Sequence, residues 1–334
     1  MVACTPGAAL MDGSAAAKPT VAVVIPTYRA SNSVLDVISR IGAEVDLIIV
    51  VDDACPESSG LRVQAESGDS RVQVLFNSRN LGVGGAVVAG YRRALELGAQ
   101  ICVKLDADGQ MDPALIPEFV APIAAHEADY TKGNRFFHIR DVVAMPVVRL
   151  IGNASLSFLC KLSSGYWHVF DPTNGYTAIH ADCLREVELD KLERRYFFES
   201  DLLFRLHLVD AVVVDVPMRA VYGEERSGLN PFREVPRFAR SHARNFLKRI
   251  FYEYFLRDFS LASVQLLGGL GLLAFAMVHG GLTWYTNFLR GVESPAGTIA
   301  VVSISAIVGF VLLQGFFAFD YSRIPRRVVH RFLR

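Results

Sequence analysis

Short apolar runs separated by polar turns set the pattern of the first half of the chain. Residues 21–25 form one run, closed by Pro26, and residues 47–51 a second, which ends in Asp52 and Asp53. Residues 72–76 form a third, and residues 101–105 a fourth that stops at Asp106-Ala107-Asp108-Gly109. Residues 33–41 and 84–97 carry helical spacing between them. Short apolar strands alternating with helices predict an α/β fold with a mostly parallel sheet covered on both faces. The ligand crevice of such a sheet lies beyond the carboxyl ends of its strands. The polar clusters Thr27-Tyr28-Arg29, Asp52-Asp53 and Asp106–Gln110 fall there. Ala86, Gly90 and Ala94 recur every fourth residue, a small stripe that lets a helix approach the sheet closely.

The pattern changes in the last third. No charged residue occurs in the 31 positions 259–289, nor in the 26 positions 294–319. About 20 apolar residues span a bilayer as a helix, so the two windows predict a transmembrane hairpin, with spans at 261–283 and 298–319. Arg244, Lys248, Arg249 and Arg257 precede it, and Arg323, Arg326, Arg327, Arg331 and Arg334 follow. The positive-inside rule then places both flanks and the N-terminal domain in the cytoplasm. Arg233, Arg237, Arg240, Arg244 and Lys248 share one helical face, which reads as a membrane-surface element. Residues 142–162 are nearly as apolar as a span, but Arg149 would be costly in lipid, so they are expected to form an amphipathic helix on the membrane face. Trp167 and Trp284 are candidate interfacial anchors. The domains expected are a loose tail at 1–19, the α/β domain at 20–230, basic juxtamembrane helices at 231–258, the hairpin at 259–320 and a basic cytoplasmic tail at 321–334.

Composition sharpens this division. The 334 residues are 51% hydrophobic with 34 basic and 34 acidic side chains. The mean hydropathy of +0.30 is high for a wholly soluble enzyme. Residues 1–230 hold 21 Lys/Arg against 29 Asp/Glu, and residues 231–334 hold 13 against 5, so the zero net charge is a cancellation of −8 and +8. This composition excludes a disordered, collagen-like or repeat-built chain. The charge balance argues against a nucleic-acid partner. The 5 cysteines and 8 histidines show no zinc spacing, and free thiols are expected. Asp12 and Lys18 interrupt the N-terminal apolar stretch, which argues against a signal peptide.

Asp106 and Asp108 stand two apart at a strand end, so both carboxylates point the same way. Paired hard oxygens suit Mg²⁺ or Mn²⁺ shared with substrate phosphates. A dinucleotide reading of Gly82-Val83-Gly84-Gly85 fails, since Val87 stands where its third glycine belongs.

Ile25-Pro26-Thr27-Tyr28, Val51-Asp52-Asp53, Asn80-Leu81-Gly82 with Gly90, and Asp106-Ala107-Asp108-Gly109-Gln110 follow in an order that resembles family-2 glycosyltransferases of the GT-A fold. Gly133-Asn134-Arg135, Asp171-Pro172-Thr173-Asn174-Gly175-Tyr176 and Phe198-Glu199-Ser200-Asp201 are similar to the branch acting on polyprenyl phosphates. The resemblance covers residues 20–230. It implies that Pro26, Thr27, Tyr28, Asp52, Asp53, Asn80, Gly82, Lys104 and Asp106 hold a nucleotide-sugar donor. It implies Asp106, Asp108 and Gln110 as metal ligands, and Arg135, Arg149 and Arg226 against the phosphate of a polyprenyl acceptor. Asp171, Asp108, Glu199 and Asp201 become the catalytic candidates. Asp171 also reads as a turn residue before Pro172, and Glu199 with Asp201 as a helix N-terminal pair.

Residues 223–228 depart from dolichol-phosphate mannose synthases, which carry a lysine there, so a UDP-sugar is favoured over GDP-mannose. The expectation is inverting transfer of one sugar to undecaprenyl phosphate at the bacterial inner membrane, for cell-envelope glycan or glycolipid modification. Membrane lipids are expected partners, and a homo-oligomer is left open. A polysaccharide synthase and a non-catalytic nucleotide-sugar-binding scaffold are the alternatives. Neither Trp follows Arg, as a QxxRW motif requires, and a scaffold has no need of the Asp106/Asp108 pair.

Overall fold

A computed structural model describes residues 18–138, 147–219 and 231–333, with backbone alone at 148, 149 and 231–234. Its seven strands are β1 (Val21–Thr27), β2 (Leu47–Asp52), β3 (Val72–Phe76), β4 (Ile101–Lys104), β5 (Tyr130–Asn134), β6 (Thr177–His180) and β7 (Val213–Pro217). They form one sheet in the order β3-β2-β1-β4-β6-β5-β7. β1 to β4 are parallel, Val24 facing Ile49 on one side and Lys104 on the other. β6 runs antiparallel to β4 and β5, and β7 parallel to β5. The mixed, mostly parallel GT-A-like sheet is the fold expected. Its second half carries the strands that the apolar runs did not mark.

Alternate residues of β1 feed two cores. Ala22 and Val24 pack with Val87 and Tyr91 of α3 (Val83–Glu96) and with Leu202 and Leu206 of α7 (Phe198–Leu208). Val21, Val23 and Ile25 pack with Val34 and Ile38 of α1 (Val34–Ser39) and with Phe119 and Ile123 of α4 (Ile116–Ala124). Each fully buried aliphatic of this kind contributes about 1.5–3 kcal/mol. The small stripe does what its spacing predicts: a Cβ on Gly90 would come within 2.3 Å of Val24 Cγ1. The shorter α2 (Ser59–Glu66) and α6 (Ala181–Glu186) lie between these elements in the chain, and α5 (Val147–Ser164) precedes β6.

α8 (Pro231–Phe251) continues through a wider π-helical turn, Tyr252–Arg257, into α9 (Leu261–Arg290) and then α10 (Ala296–Ser322). α9 and α10 are 30 and 27 residues long, with mean hydropathies of 2.0 and 2.4, long and apolar enough to cross a membrane. They pack as a hairpin at Gly269 and Gly309, where a Cβ on either would lie 3.0–3.1 Å from the other's carbonyl oxygen. Gly309, half of a small-residue pair with Ser305, is thereby used within the chain. α5 is not a third such helix. Its Val147, Ile151 and Phe158 are exposed, while Ser163 near its end bonds His242 of α8 at 2.8 Å.

Charged groups fasten the hairpin to the α/β domain. Arg249 of α8 is wholly buried and donates to Asp320 of α10 (2.6 and 3.0 Å), to Glu253 (3.3 Å) and to the Leu162 carbonyl (2.9 Å). Tyr254 and Trp167 also donate to Asp320, so this tryptophan is a strut as well as an anchor candidate. His207 of α7 meets Glu253. Beyond α10 the chain turns back. Val329 and His330 donate their backbone N–H groups to Asp129, next to β5, at 2.9 Å each. The segment expected as a basic tail is thus docked, by a carboxylate that also accepts Val212 N and pairs with the His330 ring.

Candidate active site

The carboxyl ends of β1, β2 and β4 surround a cleft of about 670 Å³, at the point where strand order reverses between β1 and β4. Pro26, Thr27, Tyr28, Asp53, Asn80, Gly82, Asp106 and Asp108 all line it. Asp53 is buried and organises one wall, accepting from Asn77 Nδ2 (2.8 Å), Leu81 N (2.9 Å) and Gly82 N (2.8 Å). Gly82 has φ +83° and a Cβ there would lie 2.6 Å from the Arg194 carbonyl, so this turn needs glycine. Thr27 Oγ1 is buried without a hydrogen-bond partner among the described residues, an open polar position on the cleft wall.

Beneath the cleft lies an ionic floor. Lys104, Thr177 and Lys132 sit side by side on β4, β6 and β5. Lys104, 1% exposed, donates to Asp106 (2.8 Å) and the Gly175 carbonyl (3.2 Å), and pairs with Glu199 of α7 at 3.3 Å. Burial opposes its charge, but the Asp106 and Glu199 carboxylates outweigh burial and hold its pKa above the usual lysine value. Lys132 is equally buried and donates to the Asn174 carbonyl at 2.5 Å. There burial wins over Glu199 and Asp171, and its pKa falls to about 8. The two lysines together hold the segment 171–176 against the floor. A Cβ on Gly175 would lie 2.5 Å from Lys104 Nζ, which explains the glycine.

Asp106 is 29% exposed, and Asp108 opens into the same cleft with its Oδ1 accepting from Gln110 N at 2.9 Å. Gly109, with φ +77°, makes that turn. Among the described residues no three His, Cys, Asp or Glu side chains form a ready-made metal cage. Two carboxylates facing an open cleft is the donor set that Mg²⁺ accepts when phosphate oxygens complete its shell, so Asp106 and Asp108 fit such an ion.

Residues 22–187 match Glycosyl transferase family 2. The undecaprenyl-phosphate mannosyltransferase of Micrococcus luteus is 33% identical over 208 residues, covering 61% of this chain and 84% of its own. The chain belongs to glycosyl transferase family 2. The UDP-N-acetylglucosamine–dolichyl-phosphate N-acetylglucosaminyltransferase of Methanococcus voltae is 28% identical over 217 residues, covering 60% of this chain and 86% of its own. Among solved structures, glucosyl-3-phosphoglycerate synthase from Mycobacterium tuberculosis in complex with uridine-diphosphate shares the fold. It has a TM-score of 0.51 and 20% identity, over 74% of this chain and 86% of that one.

The glycosyltransferase's other candidate residues divide. Asp52 is buried outside the cleft lining, its oxygens taken by Cys55 N and Gly60 N at 2.7 Å each, so it shapes a turn. Gln110 lies off the lining and offers Asp108 its backbone N–H. Asp201 corrects the catalytic expectation. Two residues on from Glu199, it points to another side of α7 and accepts from Glu193 N (3.1 Å), Arg205 (3.1 Å) and Asn245 of α8 (2.9 Å). Residues two apart on a helix do not share a face, so Glu199 meets the floor and Asp201 the junction. Asp171 is wholly buried, with Arg135 donating to both its oxygens at 2.6 and 3.0 Å. Arg149 stands in the first turn of α5, whose described side chains do not include it, and Arg226 lies outside the described residues.

Sequence reasoning missed Lys132, Arg195 and Tyr196, the last two of which line the cleft beside Arg29. Arg194-Arg195-Tyr196 just before Phe198-Glu199 was a visible cluster. Lys132 carried a weaker signal, a lone charge within the unmarked run Tyr130–Asn134.

Proposed function

We propose that this glycosyltransferase moves a single sugar from a nucleotide-sugar donor to the phosphate of a polyprenyl carrier, undecaprenyl phosphate in a bacterium, with inversion at the anomeric carbon. The observation that carries the reading is the convergence of Asp106 and Asp108 with Thr27, Asp53 and Gly82 on one strand-end cleft, in a domain locked to a hairpin long enough to cross a membrane. The relatives named for undecaprenyl and dolichyl phosphate support the acceptor. They are named for different sugars, and the sequence at 223–228 favours a UDP-sugar.

In this reading the wall built by Asp53 and Gly82, with Thr27 and Tyr28, receives the nucleoside. Asp106 and Asp108 hold Mg²⁺ or Mn²⁺ on the diphosphate. The metal supplies Lewis-acid stabilisation of the charge that develops on the leaving nucleoside diphosphate. Lys104 holds Asp106 in place through its 2.8 Å bond. The acceptor phosphate loses its second proton at about pH 6, so it attacks without a strong base, and positioning carries the rate. Asp171 then orients Arg135 toward that phosphate. The domain lies on the cytoplasmic side, with α8 along the membrane surface and α9 and α10 as the anchor.

Detergent-purified protein should be offered labelled UDP-glucose, UDP-N-acetylglucosamine and GDP-mannose with undecaprenyl phosphate and Mg²⁺ or Mn²⁺. Label entering the lipid phase from a UDP-sugar supports the proposal. Transfer only to a growing glycan, or none from any donor, would refute it, and transfer from GDP-mannose alone would refute the donor assignment.

A further inference from the structure

A second pocket, of about 530 Å³, adjoins the cleft and shares Asn80 and Arg195 with it. Its other walls carry Arg79 from the loop before α3, Arg194 from the segment before α7, and Arg237 and Arg244 from α8. Among the described residues none of these five arginines makes a side-chain hydrogen bond or ion pair, whereas other arginines of the domain, such as Arg71, Arg92 and Arg205, do. Lys191 at the rim is already paired with Glu188, and Glu193, the one carboxylate in the lining, accepts from Arg194 N. Five like charges gathered with a single carboxylate beside them repel one another, and an anion entering the pocket reduces that cost. Guanidinium forks match phosphate oxygens in geometry as well as charge.

The position of α8 narrows the choice of anion. His242, Asn245 and Arg249 turn one face of this helix to the domain. Arg237 and Arg244 line the pocket, while Val235 and Leu247 of the same helix stand exposed, 64% and 66%, outside its lining. A helix that presents arginines beside exposed apolar side chains, and leads into the hairpin, lies where a lipid places its phosphate beside its chains. We propose that this pocket is a second phosphate site, filled by the phosphate of a membrane lipid and separate from Arg135 and Asp171. The proposal does not depend on which reaction the cleft performs, because binding is read without turnover.

The test uses the full chain in neutral detergent, with bound lipid counted by native mass spectrometry as phosphatidylglycerol, phosphatidylcholine or undecaprenyl phosphate is added. Wild type should retain one of the two anionic lipids over phosphatidylcholine. Arg194→Gln with Arg244→Gln should weaken that binding by about ten-fold or more, since two charge-assisted contacts are lost. Arg240→Gln, on α8 but off the pocket lining, should change it by less than about two-fold. Preference for undecaprenyl phosphate makes the pocket a holding place for the acceptor. Preference for phosphatidylglycerol makes it a bilayer contact, and either supports a lipid-phosphate site. Unchanged binding in the double variant, an equal loss in Arg240→Gln, or displacement of lipid by an equal concentration of inorganic phosphate would overturn the proposal.

Discussion

Two buried ionic clusters meet opposite ends of α7, one at Glu199 and the other at His207, built from the same chemistry and closed to different degrees. At the junction, Arg249 is enclosed by Asp320, Glu253 and the Leu162 carbonyl, and Tyr254 and Trp167 complete the shell of Asp320. Beneath the cleft, Lys104 is as buried as Arg249, but its partner Asp106 is 29% exposed and turns toward an open volume. A sealed cluster fixes geometry, because every charge in it is already answered. A cluster open on one side holds a charge in readiness for a ligand. The difference teaches that burial of a charge says little about function until its partners have been followed to solvent.

The comparison can be broken at either cluster. Lys104→Met strands Asp106 and Glu199 together, so transfer should fall by at least about a hundred-fold and stability by about 3–5 kcal/mol. Turnover assays and thermal unfolding check the two halves. Arg249→Met should cost a similar 3–5 kcal/mol by leaving Asp320 and Glu253 without their cation. Donor affinity, measured by calorimetry below the melting temperature, should stay within about two-fold of wild type. If Arg249→Met abolishes donor binding in folded protein, the division between the clusters is wrong.

Lys132 tests the floor by pH. Its folded pKa of about 8 lies below its unfolded value of about 10.4, so the unfolded chain holds more protons between those limits. Stability relative to Lys132→Met should therefore rise from pH 8 to pH 10, by up to about 3 kcal/mol. A flat difference across that range would show that the lysine is not desolvated as described. The smallest effect is expected at Asp201. Asp201→Asn should cost about 1–3 kcal/mol by weakening its bonds to Arg205 and Glu193 N, with turnover nearly unchanged. Glu199→Gln, by contrast, should lower turnover more than stability.

Much of this architecture was legible in order and spacing. Apolar runs marked β1 to β4 because parallel strands buried on both faces leave no polar alternation. The Asp106–Asp108 pair and the two long apolar helices were readable for similar reasons, each being an unbroken local signal. β5 was hidden because its buried run includes Lys132 and Asn134, polar residues whose side-chain nitrogens find their acceptors about 40 and 80 positions away. Asp201 was misread because its partners Arg205, Glu193 and Asn245 come from three parts of the chain. The basic pocket escaped notice for the same reason: the helix that carries Arg237 and Arg244 was read alone, without the loops that face it.

The most direct test of the cleft is labelled-sugar transfer to undecaprenyl phosphate by Asp108→Asn, with thermal unfolding measured on the same preparation. Asp108 lines the cleft, and the bond it accepts from Gln110 N is one that an amide oxygen can still accept. Transfer should fall by at least about a thousand-fold, while the melting temperature stays within about 2 °C of wild type. Transfer by Asp108→Asn at the wild-type rate would contradict a metal–diphosphate site between Asp106 and Asp108, and with it the catalytic reading of the cleft.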